Sequence, residues 1–214
     1  MIKIIDLTHP IVDGMEVFPG DPVVSVRTHN DYGNGYFVSQ FSMGTHTGTH
    51  VDAPVHRIPG GKAISDLKIE QFIGWHTYVL DLSNLQPGQE ITRELLKAHM
   101  DDMRNCDGLL LRTGWAKKWG APEFFIGFPS LHEDCADFFV EQGIHIIGTE
   151  APSVHSERHL SVHDSLLKKE ITVVESVANL EKLDKKYVAF YAVPLLLQQR
   201  DGSPVRAFAV QKVM

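Results

Sequence analysis

The sequence contains few cysteines and no long apolar run. Only Cys106 and Cys135 occur among its 214 residues, and neither belongs to a CxxC pair. Two isolated thiols predict no disulfide framework and fit a reducing compartment. No apolar stretch approaches the roughly 18 residues that a membrane span needs, and the opening residues MIKIID do not have the form of a signal peptide. We therefore expect a cytoplasmic protein that does not enter a membrane.

Basic residues are also outnumbered. Lys and Arg total 20 against 27 Asp and Glu, which gives a net charge of −7 and a pI near 5.9. An acidic chain without a Lys/Arg run is a poor candidate for binding nucleic acid or an anionic membrane. The 43% hydrophobic and 22% charged residues are typical of a globular protein. One core can serve a chain of this length, so we expect a single domain over residues 1–214.

Strand and helix patterns intermingle along the chain. Apolar or β-branched runs predict strands at 3–7, 23–28, 37–43, 75–82, 108–112, 144–148, 171–174, 187–193 and 205–210. Helices are predicted over 93–103 with Thr92 as N-cap, over 132–142 closed by Gly143, and from Ser161 as cap through 169. Because strands outnumber helices and alternate with them, the sequence predicts an α/β fold with a compact mixed β-sheet and flanking helices.

Histidine is abundant, with 12 residues, and one stretch concentrates it. The segment HTGTHVDAPVH carries His46, His50, Asp52 and His56 at even positions. Its glycine, proline and β-branched residues argue against a helix. Imidazole and carboxylate together suit zinc, manganese or ferrous iron. We therefore predict a metal site here, and because a carboxylate has two oxygens, it could bridge a pair of ions.

The spacing of the first two histidines predicts a bend in the backbone. On a straight strand, four residues span about 13 Å. That is too far for His46 and His50 to share an ion whose ligand nitrogens lie about 2 Å from it. Gly48 lies between them and can adopt positive φ, so we predict a bend there.

Residues later in the chain are candidates for a second ion. His155, His159 and His163 have i, i+4 spacing, so one helical face could carry all three. Glu175 ends an apolar strand, where it is either a solvated charge or a metal ligand. We expect the single histidines elsewhere to be surface or hydrogen-bonded residues, namely His29, His76, His99, His132 and His145.

The stretch from His46 to His56 matches the pattern HxGTHxDxPxH. In this the chain resembles the cyclase family of metal-dependent hydrolases, which includes bacterial kynurenine formamidases and isatin hydrolase. Further segments similar to the family are DLTHP at 6–10, FPGD at 18–21, LRTGW at 111–115, GTEAPSV at 148–154 and DGSPVR at 201–206. The resemblance covers nearly the whole chain. It implies a swivelling β/β/α domain, assembled as a homodimer or homotetramer.

The resemblance also implies a ligand set. His46, His50 and Asp52 would bind the first of two divalent metal ions. Asp52 would bridge to the second ion, which His163 and Glu175 would complete. Zinc is the first candidate for these ions and manganese is the alternative.

Three other positions follow from the resemblance. His56 would be the catalytic proton donor and acceptor. Phe18 stands where kynurenine formamidases have a substrate-contacting tryptophan, so the aromatic wall is kept but the indole N–H is lost. Phe18, with Trp115 as a second candidate, would shape an apolar pocket for an aryl substrate. Glu150 replaces an aspartate of many members.

The implied function is an arylformamidase-like amidohydrolase. It would hydrolyse N-formylkynurenine to kynurenine and formate with metal-activated water, as in tryptophan breakdown. One alternative is hydrolysis of another small cyclic amide, lactone or ester. Another alternative is a metal-dependent binding protein, or a structural metal site, without turnover. His56 argues against a binding protein, since such a protein does not need an additional imidazole beside the metal. No GxGxxG or phosphate loop indicates a nucleotide site.

Overall fold

The computed structural model describes residues 1–212, and within them thirteen β-strands and three α-helices form. The strands are β1 (Ile2–Asp6), β2 (Ser25–Asp31), β3 (Phe37–Ser42), β4 (His50–Asp52), β5 (Ile73–Asp81), β6 (Glu90–Ile91), β7 (Gly108–Arg112), β8 (Ser130–Leu131), β9 (Ile146–Thr149), β10 (Thr172–Glu175), β11 (Tyr187–Tyr191), β12 (Gly202–Pro204) and β13 (Phe208–Lys212). The helices are α1 (Arg93–Lys97), α2 (Cys135–Gln142) and α3 (His159–Leu167), and short 3₁₀ turns lie between elements.

Most strands join one mixed sheet. In the described residues it has nine strands in the order β1-β13-β11-β5-β7-β9-β10-β4-β12. The central strands β5, β7, β9 and β10 run parallel, and the strands on both sides pair antiparallel. The predicted α/β class with a mixed sheet is therefore confirmed. The edge formed by β10, β4 and β12 carries the histidine motif.

Alternation along the central strands separates two apolar layers. In β7, Leu109 and Leu111 pack into the layer that contains the helices, whereas Leu110 faces the opposite layer. All three side chains are fully buried. The helical layer takes Phe138 from α2 and Leu166 from α3. This arrangement explains why β7 is apolar on both faces, since both of its faces are covered.

The helix ends differ in part from those predicted. Thr92 caps α1, because its hydroxyl accepts from Leu95 N at 3.3 Å, but the helix ends at Lys97 rather than at 103. Gly143 closes α2 in the left-handed conformation, with φ +77°, as predicted. Helix α3 begins at His159, two residues before the predicted cap.

The end of the chain also departs from the prediction. Residues 202–204 of the segment DGSPVR were not predicted as a strand, yet they form β12, which pairs antiparallel with β4. The following strand, β13, starts at Phe208. Residues 202–204 are of types common in turns, but pairing with β4 makes them the edge strand beside the histidine motif. Both cysteines are free and buried, which confirms the absence of a disulfide between them.

Strands β2 and β3 form a separate two-stranded hairpin. Every residue of β3 is exposed, including Phe37 and Phe41, and Tyr32 and Tyr36 are exposed at the turn. Apolar and polar residues do not alternate cleanly along β3, because neither face of the hairpin is covered in the described residues. Among the described residues, none of the helices has the length and apolar character needed to cross a bilayer.

Candidate active site

The bend predicted between the first two histidines is present. Gly48 has φ +64°, the left-handed region that a glycine adopts without strain. The bend brings the rings of His46 and His50 to a centroid distance of 5.0 Å. Strand β4 begins directly at His50, so the alternation of a strand places Asp52 on the same side. His50 Nε2 lies 3.5 Å from Asp52 Oδ1, and both residues are buried.

Helix α3 and strand β10 contribute the remaining predicted ligands. Glu175 is the register partner of His50 across the β10–β4 pair, and His50 Nε2 is 3.3 Å from Glu175 Oε2. His163 Nε2 lies 3.2 Å from Glu175 Oε1 and 3.3 Å from Asp52 Oδ2. Glu175 is 4% exposed, so it is not a solvated charge. Antiparallel pairing therefore unites two segments that are far apart in the sequence.

The hydrogen bonds of these histidines fit a bound cation. His50 Nδ1 donates to Gly48 O at 2.8 Å, and His163 Nδ1 donates to His159 O at 2.7 Å. A carbonyl only accepts, so each Nδ1 carries the proton and each Nε2 presents a lone pair to carboxylates. In the part of the chain that the structure describes, His50 Nε2 and Asp52 Oδ2 are buried without a hydrogen-bond partner. These imidazole nitrogens and carboxylate oxygens are all acceptors, and they face one another in a buried cluster. A metal ion that binds N and O ligands would satisfy them.

Without a metal ion, protons on the histidines must balance the negative charge of the buried carboxylates. Burial opposes a charge on His163, but Asp52 and Glu175 outweigh it and raise the pKa of His163 to about 10. Burial also opposes a charge on His46, yet Asp201 and Asp52 raise its pKa to about 10. Burial likewise disfavours the Asp52 carboxylate, but hydrogen bonds from His163 and His46 keep its pKa well below the ordinary value. The cluster therefore requires positive charge beside its two buried carboxylates.

His56 covers the cluster from the cavity side. It ends the 3₁₀ turn Pro54–His56, and its side chain is 28% exposed. Its ring centroid lies 4.1 Å from that of His46 and 5.4 Å from that of His163. Ligand atoms of His46, Asp52 and His56 lie within 4.8 Å of one another. This spacing is compatible with a proton carrier beside a metal ion and also with a third ligand.

Asp201 is a site residue that the sequence reasoning missed. Its Oδ2 lies 2.9 Å from His46 Nε2 and 3.6 Å from His56 Nδ1, and its Oδ1 accepts from Thr45 Oγ1 at 3.0 Å. Hydrogen bonds from His46 and His56 keep the pKa of Asp201 far below the ordinary value. The only signal in the sequence was its position at the start of DGSPVR, the segment similar to the family.

Gly202 explains why this segment can approach so closely. A Cβ at this position would lie 2.7 Å from His46 Cε1 and 2.9 Å from Val51 O, which is closer than van der Waals contact permits. Only glycine allows β12 to pair beside the motif while Asp201 contacts His46.

A cavity of about 420 Å³ opens above the cluster. Phe18 forms part of its wall and contacts Phe125 and His159 edge-on, at centroid distances of 6.1 and 6.3 Å. The position expected for a substrate-contacting aromatic residue is thus in the cavity. Asp21 and Arg57 also line this cavity.

Trp115 does not line this cavity, so that expectation was wrong. It is 5% exposed and packs with Phe124 and Phe128, and its Nε1 donates to Phe124 O at 2.8 Å. The turn that carries it is fixed by Glu150, whose carboxylate accepts from Thr113 N at 2.7 Å and from Gly114 N. This clamp directs the indole into an aromatic core.

The three histidines with i, i+4 spacing do not share a helical face. His155 precedes α3, and its Nε2 is 3.1 Å from Glu90 Oε1. His159 lines the cavity and His163 belongs to the buried cluster. Of the single histidines, His145 makes a hydrogen bond to Ile73 O and His76 stacks on Tyr187, as expected for residues outside the site.

Comparison with known proteins assigns the chain to a family. A family model described as putative cyclase matches residues 5–156. The chain is 37% identical over 209 residues to a kynurenine formamidase from Bacillus anthracis, covering 96% of both chains. A kynurenine formamidase from Bacillus thuringiensis subsp. konkukian (strain 97-27) is 37% identical over 207 residues, or 95% of both chains. The chain therefore belongs to the cyclase family, as its histidine motif predicts.

Solved structures share the fold. Isatin hydrolase A from Ralstonia solanacearum matches with a TM-score of 0.87 at 22% identity, over 99% of this chain and 92% of that chain. A structure described as a predicted metal-dependent hydrolase from Bacillus stearothermophilus matches with a TM-score of 0.80 at 25% identity, over 99% and 100% of the two chains. The cyclase-like fold expected from the sequence is therefore confirmed.

Proposed function

We propose that this chain is a metal-dependent amidohydrolase that converts N-formylkynurenine to kynurenine and formate. The observation that carries the proposal is a buried His/Asp/Glu cluster at the base of a cavity, with the partly exposed imidazole of His56 above it. Relatives named kynurenine formamidase match nearly the full length of the chain. Hydrolysis of a non-peptide C–N bond is the reaction that these features support together.

We assign the residues to two ligand sets that share one carboxylate. His46, His50 and Asp52 are assigned to one divalent ion, and Asp52, His163 and Glu175 to another. The contacts of Asp52 Oδ1 with His46 and of its Oδ2 with His163 support a bridging role. Zinc is the first candidate and manganese the alternative, because nitrogen and oxygen ligands suit both. A bound divalent cation lowers the pKa of water toward about 7 and polarises a carbonyl oxygen.

His56 is assigned the proton transfer. When the amide C–N bond breaks, the leaving arylamine must gain a proton, and an imidazole can supply it near neutral pH. The Asp201 carboxylate lies 3.6 Å from His56 Nδ1, within ion-pair distance, and holds the orientation of the ring. With Nδ1 directed at Asp201, Nε2 is the His56 atom that can exchange a proton with substrate. Phe18 packs against the aryl ring of the substrate.

Turnover of N-formylkynurenine tests this function. Chelated enzyme, reconstituted separately with zinc and with manganese, is assayed by kynurenine absorbance, with the chelated protein as control. We expect metal-dependent hydrolysis, and His56→Gln should lower kcat by about 10²–10⁴ while the metal content is retained. Loss of metal in His56→Gln would make His56 a ligand. Full occupancy by metal without turnover would refute the formamidase assignment.

A second substrate class is favoured by one observation. Phe18 lacks the indole N–H of the tryptophan that the family resemblance leads us to expect, so the wall offers no hydrogen bond to a substrate carbonyl at this position. A cyclic amide, lactone or other small ester is therefore the alternative substrate. A panel of isatin and aryl lactones separates the two classes. A non-catalytic binding role would be supported by bound metal without hydrolysis of any member.

We further propose a cytoplasmic, single-domain protein that forms a homodimer or homotetramer and acts on a small molecule. The two free, buried cysteines support a reducing compartment. The main sheet joins strands from β1 to β13, which supports one domain. A two-stranded hairpin is marginally stable alone, so the exposed Phe37 and Phe41 of β3 support burial against a second copy.

A further inference from the structure

The wall of the cavity contains a cation that is only partly paired. Arg57 follows His56 directly and lines the cavity with a side chain that is 30% exposed. Its Nε donates to Asp164 Oδ1 at 3.0 Å, and Asp164 follows the cluster residue His163 on α3. Within residues 1–212, its terminal amino groups have no hydrogen-bond or ion-pair partner. Asp164 therefore fixes one edge of the guanidinium and leaves the terminal donors available to an anion.

An anion without a partner lines the same cavity. Asp21 lies in the turn after Phe18, where Asp21 N donates to Phe18 O at 3.0 Å. Its carboxylate makes no hydrogen bond or ion pair with any other residue that the structure describes. The turn fixes the backbone of Asp21 beside Phe18, so this residue is held at the wall of the cavity.

A partly paired cation and an anion without a partner restrict the ligand. A neutral ring compound would desolvate the terminal donors of Arg57 and the carboxylate of Asp21 without pairing them, which is unfavourable. A simple anion would pair with Arg57 and be repelled by Asp21. An α-amino-acid head group carries an ammonium and a carboxylate on one carbon atom and pairs with both side chains.

We propose that Asp21 and Arg57 form a subsite for the α-amino-acid head group of an aryl formamide. Asp21 binds the ammonium, Arg57 binds the carboxylate, and Asp164 acts as a positioning residue for Arg57. The inference rests on the proposed function and deepens it, because the subsite selects a zwitterionic formamide over an uncharged lactam. A cavity of about 420 Å³ is within the range for a ligand of this size.

Three substrates that differ only in the head group test the subsite on the metal-loaded enzyme. N-formylkynurenine carries both charges, 4-(2-formamidophenyl)-4-oxobutanoate carries the carboxylate alone, and 2′-formamidoacetophenone carries neither. We expect Arg57→Gln to lower the kcat/KM preference for the carboxylate substrate over the neutral one by about 10- to 100-fold, mainly through KM. Asp21→Asn should lower the preference for N-formylkynurenine over the carboxylate substrate, by about 10-fold or more.

Two further variants separate recognition from structural damage. Arg57→Lys retains the charge without the planar fork, so part of the preference should return. Arg104→Gln removes an exposed arginine that pairs, within the described part of the chain, with Asp101 alone, and it should leave every preference as in the wild type. Circular dichroism checks that each variant is folded.

The outcomes distinguish the subsite from the catalytic assignment. If the enzyme hydrolyses the three substrates but Arg57→Gln leaves their ratios unchanged, the subsite is wrong and the formamidase function stands. If none is hydrolysed with metal bound, the proposed function fails, and calorimetric titration with kynurenine decides the subsite. Weaker binding of kynurenine by Arg57→Gln than by the wild type would support it. Equal binding, or none to either protein, would overturn it.

Discussion

His9 gives the protein a specific sensitivity to acid. Its side chain is 8% exposed, stacks on Trp119 at a centroid distance of 4.0 Å and contacts Phe124 edge-on. In the described residues its Nε2 is buried without a hydrogen-bond partner. Burial lowers the pKa of His9 from 6.5 to about 4, since nothing nearby stabilises the charged ring. His9 therefore binds a proton more weakly in the folded state than in the unfolded state.

The sign and size of the effect follow from this difference. The unfolded chain gains a proton at His9 as the pH falls through 6.5, and the folded chain gains it only near 4. Stability is therefore lost from about pH 6.5 downward, and the loss levels off below about pH 4. Proton linkage gives about 2 kcal/mol of lost stability between pH 7 and pH 5, and about 3 kcal/mol at pH 4.

The variant His9→Phe isolates this contribution. Phenylalanine preserves an aromatic ring beside Trp119 and cannot titrate. Urea unfolding, followed by tryptophan fluorescence at pH 5, 6 and 7, gives the free energy of unfolding of both proteins on one metal-free preparation. The variant should lose about 2 kcal/mol less than the wild type between pH 7 and pH 5. Parallel pH profiles for the two proteins would refute the assignment of a buried, neutral His9.

Four other perturbations have defined outcomes. Asp201→Asn should lower kcat by about 10- to 100-fold with little change in KM, because His56 loses the carboxylate that orients its ring; a change confined to KM would contradict this. Metal uptake at pH 7 should release protons and weaken as the pH falls, because imidazoles with pKa values of about 10 must deprotonate to bind it; calorimetry in buffers of different ionisation enthalpy measures the release. The double substitution of Phe37 and Phe41 by serine should shift the protein toward monomer in light scattering, and an unchanged mass would contradict burial of the hairpin against a second copy. Leu110→Ala should cost about 2–5 kcal/mol in urea unfolding, since the side chain is fully buried in the layer opposite the helices.

Local sequence spacing was sufficient for one half of the site. His46, His50 and Asp52 are neighbours in the chain, and the conflict between strand geometry and metal distance was enough to predict the bend at Gly48. Glu175 was identifiable as a carboxylate in an apolar strand, but its burial depends on the pairing of β10 with β4. Site residues that lie close together in the chain can thus be predicted from the sequence alone.

Tertiary pairing decided the residues that the sequence did not predict. Asp201 reaches His46 from 155 positions away, through a three-residue edge strand with the composition of a turn. Trp115 is aromatic and close to family-like residues, yet the Glu150 clamp directs it into a core. Helix α1 ends at Lys97, and turns continue the chain from there to the buried Met103.

Strand β12 has a consequence for the order in which the protein is made. It ends at Pro204 and supplies the neighbour that β4 requires on its outer edge. A nascent chain that has not yet released this segment from the ribosome has the complete histidine motif but an open sheet edge and no Asp201 beside His46. The candidate site is therefore complete only after β12 and Asp201, which lies 155 positions after His46, have been made.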